Sequence, residues 1–137
     1  MEIHLELEPF IPKLEKIRNE ITDSLKKIIG EKEWNYELML ALEEAIVNVI
    51  EHGMKDMKEK PKIILNMKLK ENILTLELID KGTPFDASKQ KVIDMDEHFN
   101  AYKKRGLGVF LIQNIMDHVD YEYDALTGNK LIMEKKI

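Results

Sequence analysis

The sequence predicts an α+β fold, a two-layer sandwich in which a mixed, mainly antiparallel sheet carries its helices on one face. Three observations lead there. Short stretches alternate apolar and polar residues, longer stretches repeat apolar residues at helical spacing, and these follow one another as strand, helix, helix, hairpin, helix, hairpin.

Residues 2–8 alternate Ile3, Leu5 and Leu7 with His4, Glu6 and Glu8, the period of a half-buried strand, and Pro9 and Pro12 end it. From Pro12, Leu14, Ile17, Ile21, Leu25 and Ile28 recur along one face of a helix that Gly30 stops. A second helix starts at Asn35 as N-cap, with Trp34 and Met39 spaced as a hydrophobic staple, and runs to His52 before a C-cap at Gly53. The lysine-rich link Met54–Pro61 reads as a surface loop. Ile63–Leu69 and Ile73–Ile79 alternate again, and the short Glu71-Asn72 connection makes them an antiparallel hairpin. Gly82 and Pro84 then impose a sharp turn over Asp80–Asp86. Ala87–Arg105 is weakly periodic, has the length of a lid, and closes on Lys103-Lys104-Arg105. Gly106-Leu107-Gly108 opens a helix over Val109–Met116, and Val119–Tyr123 and Leu131–Glu134 form a last hairpin around Thr127-Gly128-Asn129.

With 137 residues, 44% hydrophobic and 34% charged, and no repeat or linker, the chain reads as one domain spanning 1–137. No apolar run approaches the ~20 residues of a membrane span, and the acidic, alternating start MEIHLELE is unlike a signal peptide. The absence of cysteine removes disulfides and thiolate metal sites and suits a cytoplasmic protein. A net charge of −5 argues against a nucleic-acid surface, and the lysines between Lys55 and Lys70 read as a solvated turn and strand edge.

The stretch ALEEAIVNVIEHG sets Glu44, Asn48 and His52 in steps of four among Leu42, Ala45, Ile46 and Val49. Taken alone, a hydrogen-bonded core amide or the solvated edge of an amphipathic helix explains this line. The chain has no G-x-x-x-x-G-K-[ST] loop and no G-x-G-x-x-G after a strand. Ser24 and Ser88 occupy no nucleophile elbow, and the four histidines form no H-x-x-x-H pair. Three groups remain: Glu44…Asn48…His52, Asp80-x-Gly82-x-Pro84-Phe85-Asp86, and Arg105-Gly106-Leu107-Gly108. Each is weak alone; their order and spacing together are specific.

On these residues the sequence resembles the GHKL-type, histidine-kinase-like ATPases and, within them, the anti-sigma-factor serine/threonine kinases. E-A-I-V-N-V-I-E-H-G is similar to the family's N-box, I-D-K-G-T-P-F-D to its first glycine box and R-G-L-G-V-F-L-I-Q-N-I-M-D to its second, so the likeness spans essentially the whole chain. It implies a Bergerat-type ATP-binding fold with ATP and Mg²⁺ as cofactors. By the family pattern Glu44 is the general base, Asn48 the Mg²⁺ ligand and Asp80 the acceptor for the adenine amino group, with His52 near the phosphates. A buried structural histidine remains the other reading of His52.

The chemistry of the residues agrees. Mg²⁺ keeps several waters, so one amide oxygen plus phosphates suffices, and a carboxylate one turn away can take a proton from an attacking hydroxyl. Gly82 lets backbone approach the base, with Pro84 and Phe85 completing the turn. Gly106, Leu107, Gly108 and Val109 present amides at a helix start to phosphate, and Lys104 and Arg105 read either as a phosphate clamp or as an exposed basic rim. The resemblance further implies a small antagonist protein as phosphoacceptor, a sigma factor as bound partner and a homodimer. A nucleotide-binding interaction module without efficient transfer, and the catalytic half of a histidine kinase, are the competing readings. Met54 stands where the family commonly has an aromatic residue, and Ala87–Lys104 matches no motif.

Overall fold

A computed structural model of the protein describes residues 1–83 and 113–137. Five strands, β1 (Glu2–Leu7), β2 (Ile63–Lys70), β3 (Ile73–Asp80), β4 (His118–Asp124) and β5 (Gly128–Lys136), form one sheet in the order β1-β2-β3-β5-β4. All of its pairings are antiparallel, so the parallel pair of a mixed sheet does not occur among the described residues.

The alternation that predicts the strands also sets their register. Ile3 faces Met67 and Leu5 faces Leu65; Leu65 faces Leu78 and Met67 faces Leu76; Leu76 faces Met133 and Leu78 faces Leu131. Because side chains alternate with period two, all of these fall on one face, and a one-residue slip would turn them all to solvent. The opposite face carries polar pairs such as His4 with Asn66 (2.6 Å) and Lys130 with Glu77 (3.8 Å). At the β2–β3 turn Glu71 and Asn72 have φ of 52° and 62°, the paired left-handed conformation that a two-residue hairpin demands.

Among the described residues two helices cover the apolar face. A 3₁₀ turn, Ile11–Lys13, containing Pro12 leads into α1 (Leu14–Ile29), which buries Ile17, Ile21, Leu25 and Ile28. It ends as expected at Gly30, whose φ of 75° reverses the chain while its N–H bonds the Lys26 carbonyl. The helix α2 (Asn35–Asn48) buries Leu38, Met39, Ala41, Leu42, Ala45 and Ile46. None of the helices among the described residues is long and apolar enough to cross a membrane.

Three expectations about α2 are corrected. Asn35 is its first helical residue, and Trp34 takes the N-cap position with no side-chain cap bond. The Asn35 amide instead donates to the Gly30 carbonyl at 2.8 Å, because a helix exit one short link away offers it an acceptor fixed in space. With Trp34 at the cap itself, it is not one residue outside, as a staple with Met39 requires. The α-helix also stops at Asn48, not His52. Val49–Gly53 forms a π turn, closed by the Met54 N–H on the Val49 carbonyl at 2.8 Å, and Gly53 is not in the left-handed region. The wider turn has a packing reason. Ile46, Ile50 and Met54 are all 4% exposed or less, and steps of four in an α-helix drift by about 40°; a π turn rotates less per residue and brings Met54 back to the core. Met54 is therefore a core residue and not the first residue of a surface link.

The two-layer packing closes on β5, which is longer at both ends than Leu131–Glu134. Lys135 Nζ lies 4.9 Å from the Trp34 ring centroid and donates to the Ile115 carbonyl at 2.9 Å, where residues 113–115 are helical. The helix expected over Val109–Met116 ends at Ile115, with Met116 buried but not helical, and its residues 109–112 lie outside the described residues. Leu42, fully buried between the layers, tests this packing: Leu42→Ala is expected to lower stability by about 3 kcal/mol with an unchanged m-value in urea unfolding.

Candidate functional site

One wall of the candidate site is α2. Glu44 and Asn48 lie one turn apart on its α-helical part, both half-buried. Burial pushes the Glu44 carboxyl above its ordinary 4.5, and the negative charges of Glu43 and Glu51 push in the same direction. Its neighbour Glu43 is only 7% exposed, yet α1 neutralises it: Arg18 Nε donates to Oε2 at 3.0 Å and a terminal guanidinium nitrogen to Oε1 at 2.6 Å. That bidentate pair holds the Arg18 guanidinium above its ordinary range through the hydrogen bond first and the charge second. The sequence reading missed this pair. The signal available was an acid next to Leu42 and one turn from Met39 and Ile46, with an arginine on the preceding amphipathic helix.

His52 does not continue the line of Glu44 and Asn48. It falls in the π turn, where steps of four no longer stack, and its side chain is exposed. The reading of His52 as a buried structural histidine is thereby corrected.

The second wall is the end of β3. Asp80 follows Leu74, Leu76 and Leu78 on the helix-covered face and is 7% exposed. Its Oδ1 accepts the Gly82 N–H at 2.8 Å and the Asn129 Nδ2 amide at 2.9 Å. Asn129, opposite Asp80 in the register with β5, also donates from Nδ2 to the Gly82 carbonyl at 3.0 Å, and its Oδ1 accepts the Tyr121 hydroxyl. Neither Asn129 nor Tyr121 was among the residues predicted for the site. Pairing the last hairpin against β3 in sequence would have set Asn129 across from Asp80.

Two glycines hold this corner. Gly128 has a φ of 91°, and a Cβ there would lie 2.3 Å from the Asp80 carbonyl oxygen. A Cβ on Gly82 would lie 2.8 Å from the carbonyl carbon and oxygen of Gly53, and the Thr83 N–H donates to that same oxygen at 2.7 Å. Gly82 is thus required by the close approach of β3 to the π turn, whatever ligand also comes near. The structure brings together the segment bearing Glu44 and Asn48 and the corner bearing Asp80 and Gly82 through this seam. Pro84, Phe85, Lys104, Arg105, Gly106, Leu107, Gly108 and Val109 lie outside the described residues.

A model of the histidine kinase-like ATPase domain matches residues 11–135. This chain belongs to the histidine kinase-like ATPase family. Family members similar to it include serine-protein kinase RsbW of Listeria monocytogenes serovar 1/2a, 33% identical over 125 residues that cover 83% of this chain and 79% of that relative. Serine-protein kinase RsbW of Staphylococcus aureus strain MRSA252 is 32% identical over 84 residues, covering 58% of this chain and 53% of that relative. The fold of this histidine kinase-like ATPase is shared with a Mycobacterium tuberculosis protein solved with RsbU and RsbW domains (TM-score 0.66, 15% identity), over 99% of this chain and 32% of that one. It is also shared with the histidine kinase domain of a blue-light activated kinase from Erythrobacter litoralis (TM-score 0.55, 14% identity), over 90% of this chain and 60% of that one. The family and the α+β architecture implied by the sequence resemblance are those found.

Two tests follow from the geometry. Between 4.5 and its raised value in the fold, Glu44 binds more protons folded than unfolded, so its contribution to stability falls as pH rises through that window. Glu44→Gln is expected to be more stable than the parent at neutral pH, with the gain fading as pH drops below the ordinary carboxylate range; melting temperatures across pH check this. Gly82→Ala must push Gly53 away and is expected to cost about 1–3 kcal/mol in chemical unfolding.

Proposed function

We propose that this chain is an ATP-dependent protein-serine/threonine kinase of the anti-sigma-factor type. The observation that carries the reading is Glu44. It is a half-buried carboxyl with an elevated proton affinity, one helical turn from an amide, in a family member 33% identical to a serine-protein kinase. A general base works best when its proton affinity is raised toward the working pH.

Asp80 is the acceptor for the exocyclic amino group of adenine, and Gly82 keeps side chains off the base. Glu44 takes the proton from the attacking serine hydroxyl as its oxygen bonds the γ-phosphorus and the bond to the ADP oxygen breaks. Among the described residues no cluster of three or more His, Cys, Asp or Glu side chains stands ready to hold a metal. A single neutral amide, Asn48 Oδ1, fits Mg²⁺ that takes its other oxygens from water and the nucleotide phosphates. Bound there, the ion would neutralise charge developing on the phosphates. Lys104, Arg105 and the Gly106–Val109 amides belong to the same proposal as phosphate contacts, His52 as a residue at the rim, and Pro84 and Phe85 as the turn beside the base.

Family resemblance supplies the partners of this proposal. They are a small antagonist protein phosphorylated on serine, a sigma factor held by direct binding, and a second copy of the chain, all in the cytoplasm. The test is incubation with labelled ATP and small antagonist proteins encoded by neighbouring genes. Label on a partner serine is expected, and Glu44→Ala is expected to bind ATP while losing transfer by about 100-fold or more. Undiminished transfer by Glu44→Ala would sink the base assignment, and label on a partner histidine would replace the serine reading.

A further inference from the structure

We propose that Asn129 and Tyr121, on the closing hairpin, are positioning residues that hold Asp80 as a fixed hydrogen-bond acceptor and thereby set the preference for a 6-amino purine over a 6-oxo purine. This rests on Asp80 meeting the nucleobase, as proposed above.

The bonding pattern leaves the Asn129 amide one orientation. Its Nδ2 faces Asp80 Oδ1 at 2.9 Å and the Gly82 carbonyl at 3.0 Å. The carbonyl can only accept, and the carboxylate oxygen is already accepting the Gly82 N–H. Turning the amide over would set its oxygen against two oxygens. Asn129 Oδ1 therefore points to Tyr121, whose hydroxyl donates to it. Donation runs one way, from Tyr121 to Asn129 to Asp80.

Among the described residues the donors to the Asp80 side chain, the Gly82 N–H and Asn129 Nδ2, converge on Oδ1. Two donors on one oxygen stop the carboxylate from rotating, and neither engages Oδ2. Asp80 and Asn129 are 7% and 4% exposed, so a mismatched polar group here has little water to turn to and is costly. The Asp80 backbone is equally constrained, with Gly128 giving its carbonyl room that no side chain would leave. An amino group on the bound base satisfies the remaining carboxylate oxygen. An oxo group at the same place sets acceptor against acceptor, the mismatch that polar pockets reject most strongly.

Calorimetric titration with ATP and with GTP, each with Mg²⁺, tests the assignment on three proteins. The parent is expected to favour ATP. Asn129→Asp keeps the side-chain shape but turns the donor facing Asp80 Oδ1 into an acceptor; it is expected to lose about tenfold or more in ATP affinity and most of the ATP-over-GTP ratio. Tyr121→Phe removes only the hydroxyl, and is expected to retain the fold by circular dichroism while reducing the ratio about two- to fivefold. A parent-like ratio in folded Asn129→Asp would overturn the proposal; should that variant not fold, a parent-like ratio in Tyr121→Phe does so. Absence of ATP binding by the parent chain would instead overturn the nucleotide reading on which the inference stands.

Discussion

The site depends on one close approach of backbone to backbone. Where β3 leaves the sheet, Gly82 passes so near Gly53 that no side chain fits between them, and the Thr83 amide bonds the Gly53 carbonyl at 2.7 Å. A sheet and a helix layer held only by apolar side chains can slide, because hydrophobic contact is not directional. A directional bond at the exit of both elements removes that freedom. It ties the place where α2 and its π turn end to the place where Asp80 begins its corner, so the two walls keep a constant relation.

The charges on α2 show how neighbouring residues of the same type come to differ. Glu43 and Glu44 are adjacent, but they face different surroundings. Glu43 meets a guanidinium from α1 that matches both of its oxygens, and it serves the packing of α1 on α2. Glu44 is left partly buried beside two other carboxylates and holds its proton more tightly than a solvated acid does. An acid matched to its environment is structural; one mismatched to it is available for chemistry.

Much of this was legible in the sequence. Alternation in β1, β2 and β3 gave both strands and faces, since a period of two leaves little choice once one face is apolar. Gly30 and Glu71-Asn72 marked the chain reversals found there. What escaped depends on contacts between segments far apart in sequence. Asn35 looks like a cap until the Gly30 carbonyl is in reach, and Asn129 looks like a turn residue until β5 lies beside β3. The π turn escaped for a different reason: spacing arguments assume a constant rotation per residue. That assumption held for Glu44 and Asn48 and failed at His52. Residues 84–112, with the end of the first glycine box and the start of the second, remain legible as sequence alone.

The protein has a single tryptophan, and its position gives it a use beyond packing. Trp34 lies against the ammonium of Lys135, and the same ammonium grips the carbonyl of Ile115. A shift of the helical residues 113–115 would pull that charge along or release it, and the field at the indole would change in either case. In sequence these residues lie within the stretch that resembles the second glycine box. The chain thus contains its own optical reporter of residues 113–115, readable as tryptophan emission without any attached dye.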